Sequence, residues 1–254
     1  MPIRAVVFDL FDTLVDMRGD LITMDSHRGS RIPASSRALH AAIVETRDVS
    51  FEAWNDAVMA GHQEFVKSHL SRDREVSTFE RMGDALSRLG IRDDALAERL
   101  SAIHMGALRE VVRFPSHHTQ VLEELASRVK LGLCSNFSRS ETALEVIEAG
   151  GFRPHLSAVV VSDANGWRKP HPNIFDATLA ELGVERSEVL HVGDSLRADI
   201  GGAAPLGIRN AWITRRIPDR QAALEKHDGP DPDHEISDLA ELPELIETLD
   251  PTGI

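Results

Sequence analysis

Apolar positions follow two rhythms along the chain. Ala5-Val6-Val7-Phe8 is a continuous apolar run whose length suits a strand buried on both faces, and a carboxylate, Asp9, follows it at once. From Asp16 to Pro33 the pattern lapses into Gly19, Asp20, Asp25, Gly29 and Ser30, which reads as loop. Helical spacing then recurs. One helix is predicted from Ser35 or Ser36 to about Arg47, and a second from Ser50 to about Leu70, with Phe51, Trp54, Val58 and Phe65 on its apolar stripe. A third runs from Ser77 or Thr78 to Leu89 and stops at Gly90; a fourth runs from Asp93 to about Val112. Phe114-Pro115 closes this stretch, because proline disfavours a helical residue before it.

From His118 onward strands and helices alternate. A helix to Arg128 leads to the strand Lys130 to Cys134, and a helix from Ser140 to Ala149 leads through Gly150-Gly151 to the strand Ala158 to Val161. A helix from Asn173 to Leu182 precedes the strand Val189 to Val192, and one from Arg197 to Leu206 precedes the strand Asn210 to Thr214. Such alternation predicts an α/β fold, a parallel sheet with helices on both faces. Residues 1–15 and 115–254 then form one domain, interrupted by an all-helical domain over 16–114. Asp228 to Glu235 reads as a solvated acidic turn, since Pro230 and Pro232 spoil a regular calcium loop, and Leu239 to Leu249 reads as a terminal helix on the sheet.

Composition narrows the function. With 42% hydrophobic and 27% charged residues the chain reads as soluble and globular. A net charge of -13 with only Lys67, Lys130, Lys169 and Lys226 as lysines argues against nucleic-acid binding, which needs clustered cations to neutralise phosphates. Cys134 is the single cysteine, so neither a disulfide framework nor a cysteine zinc site is available. No apolar run approaches the ~20 residues of a membrane span, and no charged leader precedes the first strand. A reducing cytoplasm, away from membranes, is the expected compartment, and a monomer or homodimer the expected state.

The candidate chemistry lies at the carboxyl ends of the predicted strands, where open parallel sheets bind ligands. The first strand delivers Asp9 and Thr13; the second delivers Ser135 and Asn136; Gly166-Trp-Arg-Lys-Pro170 delivers Lys169; and His191-Val-Gly-Asp-Ser-Leu-Arg-Ala-Asp199 delivers Asp194 and Asp199. A carboxylate, a hydroxyl, a lysine and an acidic pair make a site for an anionic substrate held with a hard cation.

These stretches resemble, in order, the four motifs of the haloacid dehalogenase-like (HAD) hydrolase superfamily: Phe8-Asp9-Leu10-Phe11-Asp12-Thr13-Leu14, Cys134-Ser135-Asn136, Lys169-Pro170, and Gly193-Asp194-Ser195 through Asp199. The resemblance implies a Rossmann-like core with the inserted helices as a mobile cap. It further implies that Asp9 attacks phosphorus to form an aspartyl-phosphate. Mg2+ would be held by Asp9, Asp194 and the main-chain carbonyl of Phe11, with Asp199 holding a metal-bound water or standing just outside. Thr13, Ser135 and the amides near Asn136 would bind phosphate oxygens, and Lys169 would neutralise nucleophile and phosphate.

The sequence departs from the family's phosphatases at Phe11, where those enzymes carry a second aspartate as acid and base. A phenyl ring transfers no proton, so help worth roughly 10²- to 10⁴-fold is missing from its usual place. Asp12 replaces it only if the chain has left strand geometry by then; otherwise Asp12 is a turn or hinge residue. Three enzymatic readings follow: a Mg2+-dependent phosphatase on a small phosphate ester with a good leaving group, a 2-haloacid dehalogenase, whose halide needs no proton, and a phosphonate-cleaving enzyme using Lys67. The Asp194 and Asp199 pair favours the first, because displacing halide from carbon needs no metal. A phosphate-binding protein without turnover is the non-enzymatic alternative.

Other residues are less directive. Cys134 reads as a small buried hydrophobe rather than a nucleophile, and His117-His118, which looks like a metal pair, as a turn leaving the insertion, because adjacent histidines rarely face one ion without help. His27, Arg28, Arg31 and Arg37 enter the cap where substrate-selecting groups are expected, or are solvated loop charges. Trp54 and Trp167 read as core or domain-contact residues, with Trp167 also a candidate to line the cleft.

Overall fold

A computed structural model describes residues 1–27 and 30–249. It divides into two compact units, Arg18–Val112, and Met1–Met17 together with the chain from Arg113 onward. The sequence places the same divisions at 15/16 and 114/115.

The larger unit is built on six parallel strands: β1 (Ala5–Phe8), β2 (Lys130–Ser135), β3 (Ala158–Val161), β4 (Val189–Gly193), β5 (Arg209–Ile213) and β6 (His234–Ile236). Their order is β6-β5-β4-β1-β2-β3, so β1 lies between β4 and β2, and the chain reverses its direction of winding there. A crevice outside the carboxyl ends of the strands opens at such a point. Every residue of β1 is at most 2% exposed, which is why it reads as an unbroken apolar run. Burial of Val6, Val7 and Phe8 contributes on the order of 1.5–3 kcal/mol each.

The smaller unit packs α1 (Ser35–Val44), α2 (Phe51–Ser68), α3 (Thr78–Arg88) and α4 (Asp94–Arg109) around Leu39, Ile43, Trp54, Met82, Leu86 and Leu100. Its helix starts follow the sequence closely. The Ser50 hydroxyl accepts from the Ala53 amide, Ser77 and Glu80 form a reciprocal capping box, and Asp93 accepts from the Leu96 amide. The α1 start has no side-chain cap at either serine.

In the larger unit the helices are α5 (His118–Ala126), α6 (Ser140–Ala149), α7 (Ser162–Asn165), α8 (Pro172–Leu182), α9 (Gly201–Ala203), α10 (Arg220–Glu225) and α11 (Leu242–Leu249). Ala5, Val7, Cys134 and Val160 point to one face of the sheet, where Ile174, Phe175, Leu179 and Leu182 of α8 cover them. Leu131 and Leu133 point the other way and are equally buried; α5 packs on β2 with Val121, Leu122 and Leu125 inward.

Three local differences from the sequence reading have physical causes. Met24–His27 and Ser30–Pro33 form an antiparallel hairpin in the stretch read as loop, so the insertion is not wholly helical. Polar residues make up three of four positions in the first of its strands and two of four in the second, and the alternation that signals a half-buried strand is missing. The edge strand β6 lies at the end of the acidic turn and is only three residues long; Asp233 before it accepts from the Asn210 amide and side chain. The helix expected over Arg197 to Leu206 is a π turn, Leu196–Ile200, followed by α9 and a 3₁₀ turn, Ala204–Leu206.

Candidate active site

Asp9 is the first residue past β1, and its amide donates to the Val192 carbonyl of β4 at 2.9 Å. Its carboxylate is nearly buried. Lys169, only 3% exposed, donates from Nζ to Asp9 Oδ1 at 2.7 Å and to Asp199 Oδ1 at 2.6 Å. One ammonium thus bridges two buried carboxylates whose partners lie 160 and 30 residues away in sequence.

Two devices hold that lysine. The Asn136 side chain closes a clamp on the Lys169 main chain, accepting from its amide at 2.7 Å and donating to its carbonyl at 2.9 Å. The π turn presents Asp199, whose Oδ2 accepts from the Ser195 amide at 3.0 Å while Oδ1 also accepts from His191 Nε2 at 2.8 Å. Such turns recur at functional sites because the extra residue re-aims a side chain. Gly193 makes room for it: a Cβ there would lie 2.1 Å from Asp199 Cγ. His191 and the clamping role of Asn136 were not singled out from sequence. A polar residue inside the apolar run Val189-Leu190-His191-Val192 was the available signal for His191; nothing in the sequence pairs Asn136 with Lys169.

Ionisation follows from this burial. Burial outweighs the Lys169 charge at Asp9 and, with Asp199 nearby, raises its pKa to about 6. Asp194 is raised to about 8, first by burial and then by the like charges of Asp9, Asp199 and Asp12. Burial pushes Asp199 the same way, but Lys169 and the His191 hydrogen bond prevail and hold it below the ordinary carboxylate range. Burial opposes the Lys169 charge, yet Asp199 and Asp9 keep it above the ordinary lysine value. Burial lowers His191, whose neutral ring donates from Nε2 to Asp199.

One carboxylate oxygen from each of Asp9, Asp194 and Asp199 lies within 4.8 Å of the others. An all-oxygen donor set, with Asp194 raised first by burial and then by its acidic neighbours, suits a hard divalent cation. The hydroxyls of Thr13 and Ser135 are fully buried and have no hydrogen-bond partner among the described residues, so both remain available to ligand oxygens.

The turn after β1 departs from strand geometry at Asp12, which has φ 58°. Asp12 Oδ1 accepts from the Met17 amide at 3.0 Å and lies 3.5 Å from Arg216 Nε, a residue that sequence gave no reason to place here. The Phe11 ring packs against Phe137, centroids 4.7 Å apart. Trp167 stacks on His171 two residues beyond Lys169, and Trp54 is in the core of the smaller unit. Cys134 is buried, and burial pushes its thiol up to about 11. Arg37 pairs with Asp25 and lies over the Phe51 ring, and Arg31 is in the hairpin; Arg28 lies outside the described residues.

A model of the haloacid dehalogenase-like hydrolases matches residues 3–207. The chain belongs to this family. Among curated HAD relatives, haloacid dehalogenase-like hydrolase domain-containing protein 3 of Danio rerio is 33% identical, covering 97% of this chain and 98% of its own length. N-acylneuraminate-9-phosphatase of Homo sapiens is 26% identical, covering 98% and 95%. The HAD fold is shared with a 2-haloacid dehalogenase from Pseudomonas syringae, at a TM-score of 0.72 and 23% identity over 97% of this chain and 99% of that one. No helix among the described residues is long and apolar enough to cross a membrane.

Proposed function

We propose that this HAD hydrolase is a Mg2+-dependent phosphatase of a small phosphate ester, working through an aspartyl-phosphate on Asp9. The observation that carries the reading is the cluster of Asp9, Asp194 and Asp199 around the buried Lys169, with Thr13 and Ser135 hydroxyls unpartnered beside the same strand ends. Asp9, Asp194 and the Phe11 carbonyl would hold Mg2+ directly and Asp199 from outside, since both of its oxygens already accept hydrogen bonds. Bound there, the ion supplies positive charge that offsets the repulsion between the attacking carboxylate and the phosphate.

Asp9 forms an oxygen–phosphorus bond as the bond from phosphorus to the ester oxygen breaks, and water then attacks the phosphoryl group to regenerate the carboxylate. Lys169 keeps the nucleophile oriented and ionised, and Thr13, Ser135 and the amide of Asn136 receive the phosphoryl oxygens. With Asp12 engaged by Met17 and Arg216, its turn-anchoring role is favoured over proton transfer, which points to a substrate whose leaving group departs without a strong acid.

The purified protein should release phosphate from an aryl phosphate and from members of a panel of small phosphate esters, dependent on both Mg2+ and Asp9. Asp9→Asn should abolish release, whereas Asp12→Asn should retain most of it. A second reading rests on Phe11 against Phe137, an apolar wall where a proton donor would stand: metal-independent halide release from 2-haloacids would establish a dehalogenase instead. Phosphate binding with neither release would identify a binding protein.

A further inference from the structure

We propose that His117, His118 and Asp238 form a second metal site, for a divalent transition cation of the zinc class, separate from the carboxylates around Asp9. One ligand atom from each of the three lies within 4.8 Å of the others. His118, the first residue of α5, is fully buried, and its Nδ1 lies 2.8 Å from the Leu14 carbonyl oxygen. A carbonyl only accepts, so Nδ1 carries the proton and Nε2 keeps its lone pair. That Nε2 is buried and has no hydrogen-bond partner among the described residues.

An imidazole anchored through one nitrogen to a main-chain carbonyl, with the other bare, is the arrangement by which proteins orient metal-binding histidines. The remaining ligands stand beside it. The His117 ring is 4.7 Å from that of His118 and nearly perpendicular to it, and His117 Nε2 lies 2.6 Å from Asp238 Oδ1. Asp238 Oδ1 also accepts from the Ala240 amide, the side chain closes a capping box with Glu241, and Oδ2 lies 3.8 Å from Arg215 Nε. The Arg215 charge, which would oppose a cation, is taken up by its pairing with Asp16. Two imidazoles and one carboxylate, with a position left for water, form a zinc-type donor set; magnesium, which demands oxygen, is not suited to it. An ion here would tie the start of α5 to the turn before α11, and through the His118 ring to the Leu14 carbonyl that ends the Asp9 turn.

The test is equilibrium dialysis of the full chain against Zn2+ in millimolar Mg2+, with Co2+ absorption as a second readout. One Zn2+ per chain is expected, weakened at least about tenfold in His117→Ala and in Asp238→Asn, and unchanged in Asp194→Asn. His117 is half exposed, and asparagine can cap the following turn as aspartate does, so both variants should fold. Absence of Zn2+ binding, binding unaffected by His117→Ala and Asp238→Asn, or binding lost in Asp194→Asn would each overturn the proposal.

Discussion

Loading the metal-free protein with Mg2+ should expel about one proton at pH 7. Asp194, raised to about 8, carries a proton roughly nine-tenths of the time at that pH, and Asp9, raised to about 6, roughly one-tenth. A cation coordinates the ionised carboxylates, so both fractions must leave. Titration calorimetry in buffers of different ionisation enthalpy measures the release directly. It should be about one proton at pH 7 and about one-tenth at pH 9, with affinity rising roughly tenfold per pH unit between 6 and 8. Asp194→Asn should reduce the release at pH 7 to about one-tenth. The same shifts carry a stability contribution in the metal-free protein: both folded values lie above the ordinary 3.8, so the contribution of Asp9 and Asp194 is fully present below that pH and is lost as pH rises toward 8. No net proton release at pH 7 would refute the assignment of Asp9 and Asp194 as a repelling, ion-accepting pair.

Other perturbations probe the same framework. Lys169→Met leaves Asp9 and Asp199 buried without their counter-charge and should cost about 3–5 kcal/mol, seen as a urea midpoint shift that is larger at pH 8 than at pH 5, where protonation relieves the carboxylates. Gly193→Ala forces Asp199 away from its lysine and histidine partners; a loss of about 1–3 kcal/mol should accompany lost activity, and wild-type stability in this variant would contradict the close approach. Burial, then Arg81, lowers His104, so the folded state resists its protonation and loses stability as pH falls below the ordinary 6.5. Urea midpoints at pH 7.5 and pH 5 should therefore differ less in His104→Gln than in the wild type.

Much of the site was legible because its groups follow strand ends directly. Asp9, Ser135 and Asp194 each come within a residue of an apolar run, and such runs announce themselves as buried parallel strands. Lys169 was legible through scarcity and through the motif resemblance. What stayed hidden depends on pairings between distant segments: the Asn136 clamp spans 33 residues, and His191 gains its meaning only when the π turn folds Asp199 back upon it. Asp12 was ambiguous because no side-chain pattern encodes either the dihedral, φ 58°, that takes it out of strand geometry or its contacts with the Met17 amide and Arg216. The hairpin and β6 were missed for a different reason. Exposed or edge strands lack the periodic apolar face on which strand prediction rests.

Strands β1 and β2 are hydrogen-bonded neighbours, Ala5 beside Lys130, although the entire smaller unit lies between them in the chain. Closing a loop costs an entropy that grows only with the logarithm of its length, so doubling the intervening chain would cost about 0.6 kcal/mol. The join between these strands is therefore a place where a chain can gain, lose or exchange a whole folded module while the sheet that aims Asp9 and Ser135 keeps its register. The residues at the strand ends and the inserted unit can change independently, because the length of chain between β1 and β2 is thermodynamically almost free to vary.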